Sequence, residues 1–177
     1  MTPDVIHQLF QSAPLHDLGK VAIPDHILFK PGKLTPQEFE IVKLHAAIGR
    51  DAVATVRREI GGDNAFLRYA AEIAYGHHEW YDGSGYPRGL RGDAIPLSAR
   101  LMAIADVYDA LISWRVYKPA VSHDVALAHL VSARGTQFDP DLIDALLPIA
   151  WRFQDIAARF PDEADAPSRR VAASVSG

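Results

Sequence analysis

Residues 101–112 read Leu-Met-Ala-Ile-Ala-Asp-Val-Tyr-Asp-Ala-Leu-Ile and combine a helical apolar pattern with two carboxylates. The apolar positions recur at helical spacing, which predicts a helix from about Leu97 to Ser113. Asp106 and Asp109 stand inside that pattern. A carboxylate buried there without a cation would cost several kcal/mol. We therefore expect Asp106 to be buried with a cation beside it.

Other helices are predicted on both sides of this one. Thr35, Pro36 and Glu38 match a capping box with proline at the first helical position. Gly61-Gly62 is expected to end the helix that they begin. Further helices are expected over about 4–12, 64–78, 122–130 and 139–160, with Pro148 interrupting the last. The helix after Thr35 should bury one face, made of Phe39, Val42, Ala46, Gly49, Val53 and Val56.

No segment alternates with period two for long enough to predict a strand. Residues 82–96 are dense in glycine and proline and are expected to form a loop. The predicted fold is therefore an all-α bundle of about six helices with one long Gly/Pro-rich loop.

Length and composition narrow the class of protein. A chain of 177 residues suits one domain, which we place at 1–160, and residues 161–177 are expected to be a disordered tail. The formal net charge of -4 argues against long DNA or RNA as a partner. The absence of cysteine excludes disulfides and thiolate metal sites. With no apolar run of about 18 residues and no signal peptide, we expect no membrane span and a cytoplasmic protein.

Histidine and aspartate residues recur along the predicted helices at intervals of 28 to 32 residues. Taken singly, each has an ordinary reading as a packed or surface side chain. Because each interval is about one helix plus one connection, the joint spacing predicts that they converge inside the bundle as a metal site. The members are His16-Asp17, His45, His77-His78 and Asp106.

The donor types and a neighbouring loop suggest a chemistry. Nitrogen and oxygen ligands favour iron, manganese or a similar divalent pair. Two such ions about 3.5–4 Å apart suit in-line attack on a phosphodiester. Residues 82–92 contain four glycines, two arginines and a tyrosine. Arg88 suits phosphate and Tyr86 can stack on a base, so this loop is a candidate for substrate recognition.

Seven stretches with a characteristic order extend this pattern over roughly 14–147. They are Leu-His-Asp-Leu-Gly-Lys-Val-Ala-Ile-Pro-Asp (15–25), Lys-Pro-Gly-Lys-Leu-Thr-Pro (30–36), Lys-Leu-His (43–45), His-His-Glu-Trp-Tyr-Asp-Gly-Ser-Gly-Tyr-Pro (77–87), Ile-Pro-Leu-Ser-Ala-Arg (95–100), Ala-Asp-Val-Tyr-Asp-Ala-Leu (105–111) and Gly-Thr-Gln-Phe-Asp-Pro (135–140). Together they resemble the HD-GYP domain, a branch of the HD phosphohydrolase superfamily.

The resemblance implies an HD-type helical bundle and a bacterial phosphodiesterase that hydrolyses cyclic di-GMP to linear pGpG or to GMP. It implies two divalent metal ions, with Asp17 as the bridge and Lys20 near the scissile phosphate. The implied metal ligands are His16, Asp17, His45, His77, His78 and Asp106. The implied contacts to the dinucleotide are Tyr86, Asp109, Arg115 and Lys118, to which the loop adds Arg88. Gly85, Tyr86 and Pro87 are also expected to contact GGDEF-type cyclases.

The chain departs from the family pattern in two respects. Family domains usually carry further helices and another ligand before His16, so we expect an N-terminally shortened domain without a third metal and without an upstream receiver or sensor domain. Residues 115–118 read Arg-Val-Tyr-Lys where Arg-Pro-Tyr-Lys is usual. Two alternatives stay open: a catalytically impaired module that binds cyclic di-GMP or a GGDEF partner, and an HD phosphohydrolase for another nucleotide or cyclic dinucleotide.

Overall fold

A computed structural model describes residues 1–113 and 120–160, and in those residues every regular element is a helix. The all-α class predicted from the sequence is therefore confirmed. Arg115, Lys118 and the predicted tail 161–177 lie outside the described residues. The α-helices are α1 (Pro3–Ser12), α2 (Asp25–Leu28), α3 (Pro36–Ile60), α4 (Ala65–Gly76), α5 (Leu97–Ile112), α6 (His123–Ser132), α7 (Pro140–Leu146) and α8 (Ala150–Arg159).

Helix α3 begins and ends where the sequence predicts. The Thr35 hydroxyl accepts the backbone N–H of Glu38, and the Glu38 carboxylate accepts the backbone N–H of Thr35, which completes the capping box. The helix ends at Gly61, whose φ of 71° suits glycine. The predicted buried face is too long, because Phe39 and Val56 are 42% and 43% exposed. Only the middle of the 25-residue helix is covered by neighbouring elements.

The turn that follows the His-Asp pair lies directly on α3. A Cβ atom at Gly19 would lie 2.0 Å from the carbonyl oxygen of His45 and 2.6 Å from the backbone N of Gly49. Only glycine permits this approach, since both neighbours are backbone atoms. The turn is a 3-10 helix over Leu18–Ala22, and the sequence pattern did not predict it. This turn places Asp17 beside His45.

Two apolar clusters hold the helices together, and neither contains a predicted metal ligand. The first joins α3 to α4 through Val53, Leu67 and Ala70, with Leu15 and Phe66 packed against it. The second joins α5 to the C-terminal helices and consists of Ala103, Ile104, Tyr108, Ala126, Leu130, Phe138, Ile143 and Leu146.

Residues 82–96 form the predicted loop, with one 3-10 turn over Gly92–Ala94. The chain entering the loop pairs with a second turn, because Tyr81 N donates to Gln137 O at 3.1 Å and Asp82 N donates to Thr136 O at 2.9 Å. On the far side, Arg100 of α5 contacts Asp93 at 2.8 Å and Asp139 at 2.6 Å. The loop is thus anchored at both ends.

Candidate metal centre

Three histidines direct the same ring atom into the interior. The Nδ1 atom of each lies within hydrogen-bond distance of a backbone carbonyl oxygen, and a carbonyl can only accept, so Nδ1 carries the proton. When the rings are neutral, their Nε2 atoms are therefore free to act as ligands. The pairs are His16 with Ala13 O at 2.9 Å, His45 with Val42 O at 2.6 Å and His77 with Ile73 O at 2.9 Å.

Asp17 lies among these Nε2 atoms. Its Oδ2 is 3.2 Å from Nε2 of His16, and its Oδ1 is 3.6 Å from Nε2 of His45 and 3.9 Å from Nε2 of His77. The Nε2 atom of His16 is in turn 3.8 Å from Oδ1 of Asp106. Asp17 thus touches two groups of donors at once, which is the position that a bridging ligand needs.

His78 completes a cluster of imidazoles. One ring nitrogen from each of His45, His77 and His78 lies within 4.8 Å of the others. All six residues predicted as ligands are therefore brought together by direct contacts. Asp106 is less buried than its pattern suggests, since a quarter of its side-chain surface is exposed. It lies at the rim of the site, while His45 and His77 lie at its floor.

Three polar atoms at the centre show that these residues fit a divalent cation. Oδ1 of Asp17, Nε2 of His45 and Nε2 of His77 are buried, and in the described residues none has a hydrogen-bond partner. Buried polar atoms without partners are costly and rare in folded proteins. A cation held between them would satisfy all three, and it would suit their nitrogen and oxygen donors.

Protonation states in the site favour metal binding. Burial, reinforced by the charge of His16, lowers the pKa of His77 to about 4. Burial and then the neighbouring His77 lower the pKa of His78 to about 2. Burial acts against ionisation of Asp17, but hydrogen bonds from His16 and Lys20 outweigh it and lower the pKa of that carboxyl. Neutral imidazoles and an ionised carboxylate are the ligating forms, so His77, His78 and Asp17 are ready to bind a metal. Burial lowers the pKa of His16, but the hydrogen bond and charge of Asp17 outweigh burial and raise that pKa, so a metal would displace a proton from His16.

Lys20, which the sequence predicts to lie near the scissile phosphate, contacts Asp17. Nζ of Lys20 lies 2.5 Å from Oδ2 of Asp17, and 38% of its side chain is exposed. The ammonium is therefore beside the donor cluster and within reach of a ligand that arrives from solvent.

The predicted substrate residues lie in three different places. The Tyr86 ring stacks on His78, with centroids 4.7 Å apart and planes at 27°. Asp109 lines a cavity of about 970 Å³ that also contains His16, Asp17 and Asp106. The Arg88 guanidinium lies over the ring of Tyr75, 4.6 Å from its centroid. The positions of Arg115 and Lys118 lie outside the described residues.

Sequence reasoning missed the role of Glu79. Its side chain is fully buried, and its carboxylate accepts the backbone N–H of Arg88 at 2.8 Å and of Leu90 at 2.9 Å. The loop is thereby held against the His77-His78 pair, and Tyr86 N also donates to the carbonyl of His78 at 3.1 Å. A signal was available, since an acidic residue between the predicted ligands His77-His78 and the aromatic pair Trp80-Tyr81 needs a partner if it is buried.

Comparison with known proteins shows which family the chain belongs to. The family model described as HD domain matches residues 1–142. The chain belongs to the HD domain family. The family is metal-dependent, which accords with the histidine-rich site. The resemblance to this family that the sequence motifs indicated is confirmed.

Several curated relatives are similar over most of this HD domain. It is 55% identical over 166 residues to a probable cyclic di-GMP phosphodiesterase of Vibrio cholerae, covering 94% of this chain and 38% of the relative. It is 48% identical over 160 residues to the cyclic di-GMP phosphodiesterase response regulator RpfG of Xanthomonas campestris, covering 90% and 41%. The chain thus spans about two fifths of the length of these relatives. The names of these relatives agree with the resemblance to the HD-GYP domain that the sequence motifs indicated.

A solved structure shows the same fold. The crystal structure of a cyclic GMP-AMP specific phosphodiesterase of Vibrio cholerae superposes with a TM-score of 0.60 and 19% identity, covering 93% of this chain and 42% of that one. The HD-type helical bundle is confirmed by this likeness. Among the described residues, no helix is both long enough and apolar enough to cross a membrane.

Proposed function

We propose that this HD domain is a metal-dependent phosphodiesterase that hydrolyses cyclic di-GMP to linear pGpG or to GMP. The observation that carries the proposal is the position of Asp17, whose Oδ2 faces His16 while its Oδ1 faces His45 and His77. The similarity to proteins named as cyclic di-GMP phosphodiesterases supports it.

The donor set would hold two divalent ions, with iron or manganese the best match to imidazole and carboxylate ligands. His45, His77 and His78 form one side of the site, His16 and Asp106 form the other, and Asp17 joins them. When bound, such ions supply an activated water and neutralise phosphate charge. Lys20 adds a cation beside Asp17, where it would stabilise charge that develops on the phosphoryl oxygens.

The cavity beside His16 suits one half of a cyclic dinucleotide. Its polar end is formed by the carboxylates of Asp17, Asp106 and Asp109, and its walls are largely apolar, with Phe10 and Phe153 among them. A guanine base presents N–H donors on its Watson–Crick edge, which the Asp109 carboxylate can accept. Arg115 and Lys118 match family positions that contact the dinucleotide and would add to its binding.

The loop at Gly85, Tyr86 and Pro87 is proposed as a second interaction site, for GGDEF-type cyclases. Its support is structural order: the loop is anchored by Glu79, yet Pro87 remains exposed. An enzyme that removes a nucleotide second messenger would act in the cytoplasm.

A second substrate class is favoured by one comparison. Relatives named as 3'3'-cGAMP-specific phosphodiesterases are 44% and 36% identical to this chain. A cyclic dinucleotide with one adenine is therefore the alternative substrate. A panel of cyclic dinucleotides offered to the manganese-loaded protein distinguishes the two.

Asp17→Asn tests the proposal with little change in shape. The wild type loaded with manganese or iron should produce pGpG or GMP from cyclic di-GMP, and the variant should lose at least about a hundredfold in kcat. Asp63→Asn is the matched control, because Asp63 is exposed and only approaches Arg57. Full activity of the Asp17 variant would refute the mechanism. A wild type that binds cyclic di-GMP without turnover would favour the binding module.

A further inference from the structure

An aromatic pair with a lysine above it extends from the imidazole cluster. The ring of Phe39, on α3, meets the ring of Tyr86 edge to face with centroids 6.1 Å apart. Nζ of Lys43, one turn further along α3, lies 4.9 Å from the Phe39 centroid and 5.4 Å from the Tyr86 centroid. Because Tyr86 also stacks on His78, this group begins directly at the donor cluster.

Both new members are accessible to a ligand. Phe39 is 42% exposed although it lies on the apolar side of the sequence pattern. The Lys43 side chain is 27% exposed and pairs at 2.7 Å with Glu40, whose side chain is 69% exposed. Exposed ion pairs contribute only about 0–1 kcal/mol, so the lysine can turn to another acceptor at little cost.

We propose that Phe39 and Lys43, with Tyr86, form a guanine-binding subsite that selects guanine over adenine. The exposed face of Phe39 offers a surface on which a purine can stack. The Lys43 ammonium carries three donors, and guanine presents two adjacent acceptors, O6 and N7. Adenine replaces O6 with an amino group that donates, so it faces the ammonium with one acceptor fewer.

The position of this subsite suits a substrate with two bases. Asp109 lies in the cavity on the side of His16 and Asp106, whereas Tyr86 contacts His78. Asp109 and Tyr86 are therefore two separate candidate base contacts beside the donor cluster. A cyclic dinucleotide whose scissile phosphodiester lies at the donor cluster would direct one base to each. The inference rests on the proposed function in this respect.

The test compares Lys43→Met and Phe39→Ala with the control Lys33→Met, a surface substitution elsewhere on the chain. The KM for cyclic di-GMP and the inhibition constant of cyclic di-AMP are measured on each manganese-loaded protein. Lys43→Met should raise the KM about tenfold and change the cyclic di-AMP constant much less, because guanine offers O6 and N7 whereas adenine offers only N7. Phe39→Ala should raise both the KM for cyclic di-GMP and the inhibition constant of cyclic di-AMP, since stacking does not distinguish purines. Lys33→Met should change neither.

An unchanged KM in Lys43→Met would overturn the subsite, and so would an equal loss for both dinucleotides, which would indicate a phosphate contact or a folding defect. Binding of both dinucleotides to the same proteins, measured by calorimetry, tests the guanine subsite independently of the proposed hydrolysis. A wild type that prefers cyclic di-GMP in binding but does not hydrolyse it contradicts the proposed function only. The selectivity of Lys43→Met then still decides the inference.

Discussion

Oδ1 of Asp17 lies 3.6 Å from Nε2 of the buried His45, although 28 residues separate the two in the chain. The contact depends on Gly19, which lets the turn after Asp17 lie against the backbone of α3. The geometry of the proposed metal centre thus depends on a backbone approach as well as on the donor residues themselves.

Gly19→Ala should disrupt this approach. The added Cβ would meet the His45 carbonyl oxygen at 2.0 Å, so the turn must move away from α3. Overpacking typically costs about 1–3 kcal/mol, and here backbone atoms must give way. We expect a lower urea midpoint and reduced metal content, measured by elemental analysis.

Gly49→Ala is the matched control for that change. At Gly49 the nearest atoms would be 3.2 and 3.4 Å from a new Cβ, so a smaller loss is expected. Equal stability and metal content in the wild type and Gly19→Ala would contradict the role given to Gly19.

Glu79→Gln should loosen the loop over 82–96. The amide keeps one acceptor for the N–H groups of Arg88 and Leu90, and leaves the other buried N–H unpaired at a cost of about 1–3 kcal/mol. Trypsin should then cut faster after Arg88 or Arg91. Glu40→Gln, which changes an exposed carboxylate on α3, should be cleaved at the wild-type rate. Identical cleavage of all three proteins would show that Glu79 does not anchor the loop.

Removing metal should lower the thermal stability of the wild type. A ligand at about 100 times its Kd stabilises by about 2.7 kcal/mol, and for a chain of this size that corresponds to roughly 5–10 °C in Tm. Chelation measured by differential scanning calorimetry should show this shift. In His45→Asn, which lacks one donor, the shift should be much smaller. If neither chelator nor added manganese changes the Tm of the wild type, the protein has no metal site of this kind.

Glu38 should titrate unusually low. The hydrogen bond from Lys30 and the backbone N–H of Thr35 lower its pKa to about 2, from an ordinary value of 4.5. A carboxyl whose pKa is lower in the folded state stabilises the fold above about pH 4.5. That stabilisation is lost as pH falls towards 2.

Carboxyl-carbon NMR titration measures this directly. Lys30→Met should move the pKa of Glu38 up towards 4.5, whereas Lys33→Met should leave it low. A Glu38 pKa that is ordinary in the wild type would show that Lys30 does not hold the carboxylate in solution.

The helices and the donor set were predictable from local information. The capping box at Thr35 and the glycine pair after Ile60 mark helix ends through backbone hydrogen bonding, which depends only on nearby residues. The six ligands could be predicted because imidazoles and carboxylates recur at helix-length intervals, and a buried carboxylate is costly without a cation. The 3-10 turns around Gly19 were missed because such short elements leave no periodic pattern.

The sequence by itself thus determined an all-α chain and the identities of the residues that converge. Only the tertiary structure decided which donors touch, because the approach of Gly19 to α3 is a contact between distant segments. It also decided that Glu79 is used to hold the loop, and that Phe39 lies exposed beside Tyr86 and not in the core. Helical periodicity reports which face a residue occupies, but whether that face is covered depends on where the neighbouring elements end.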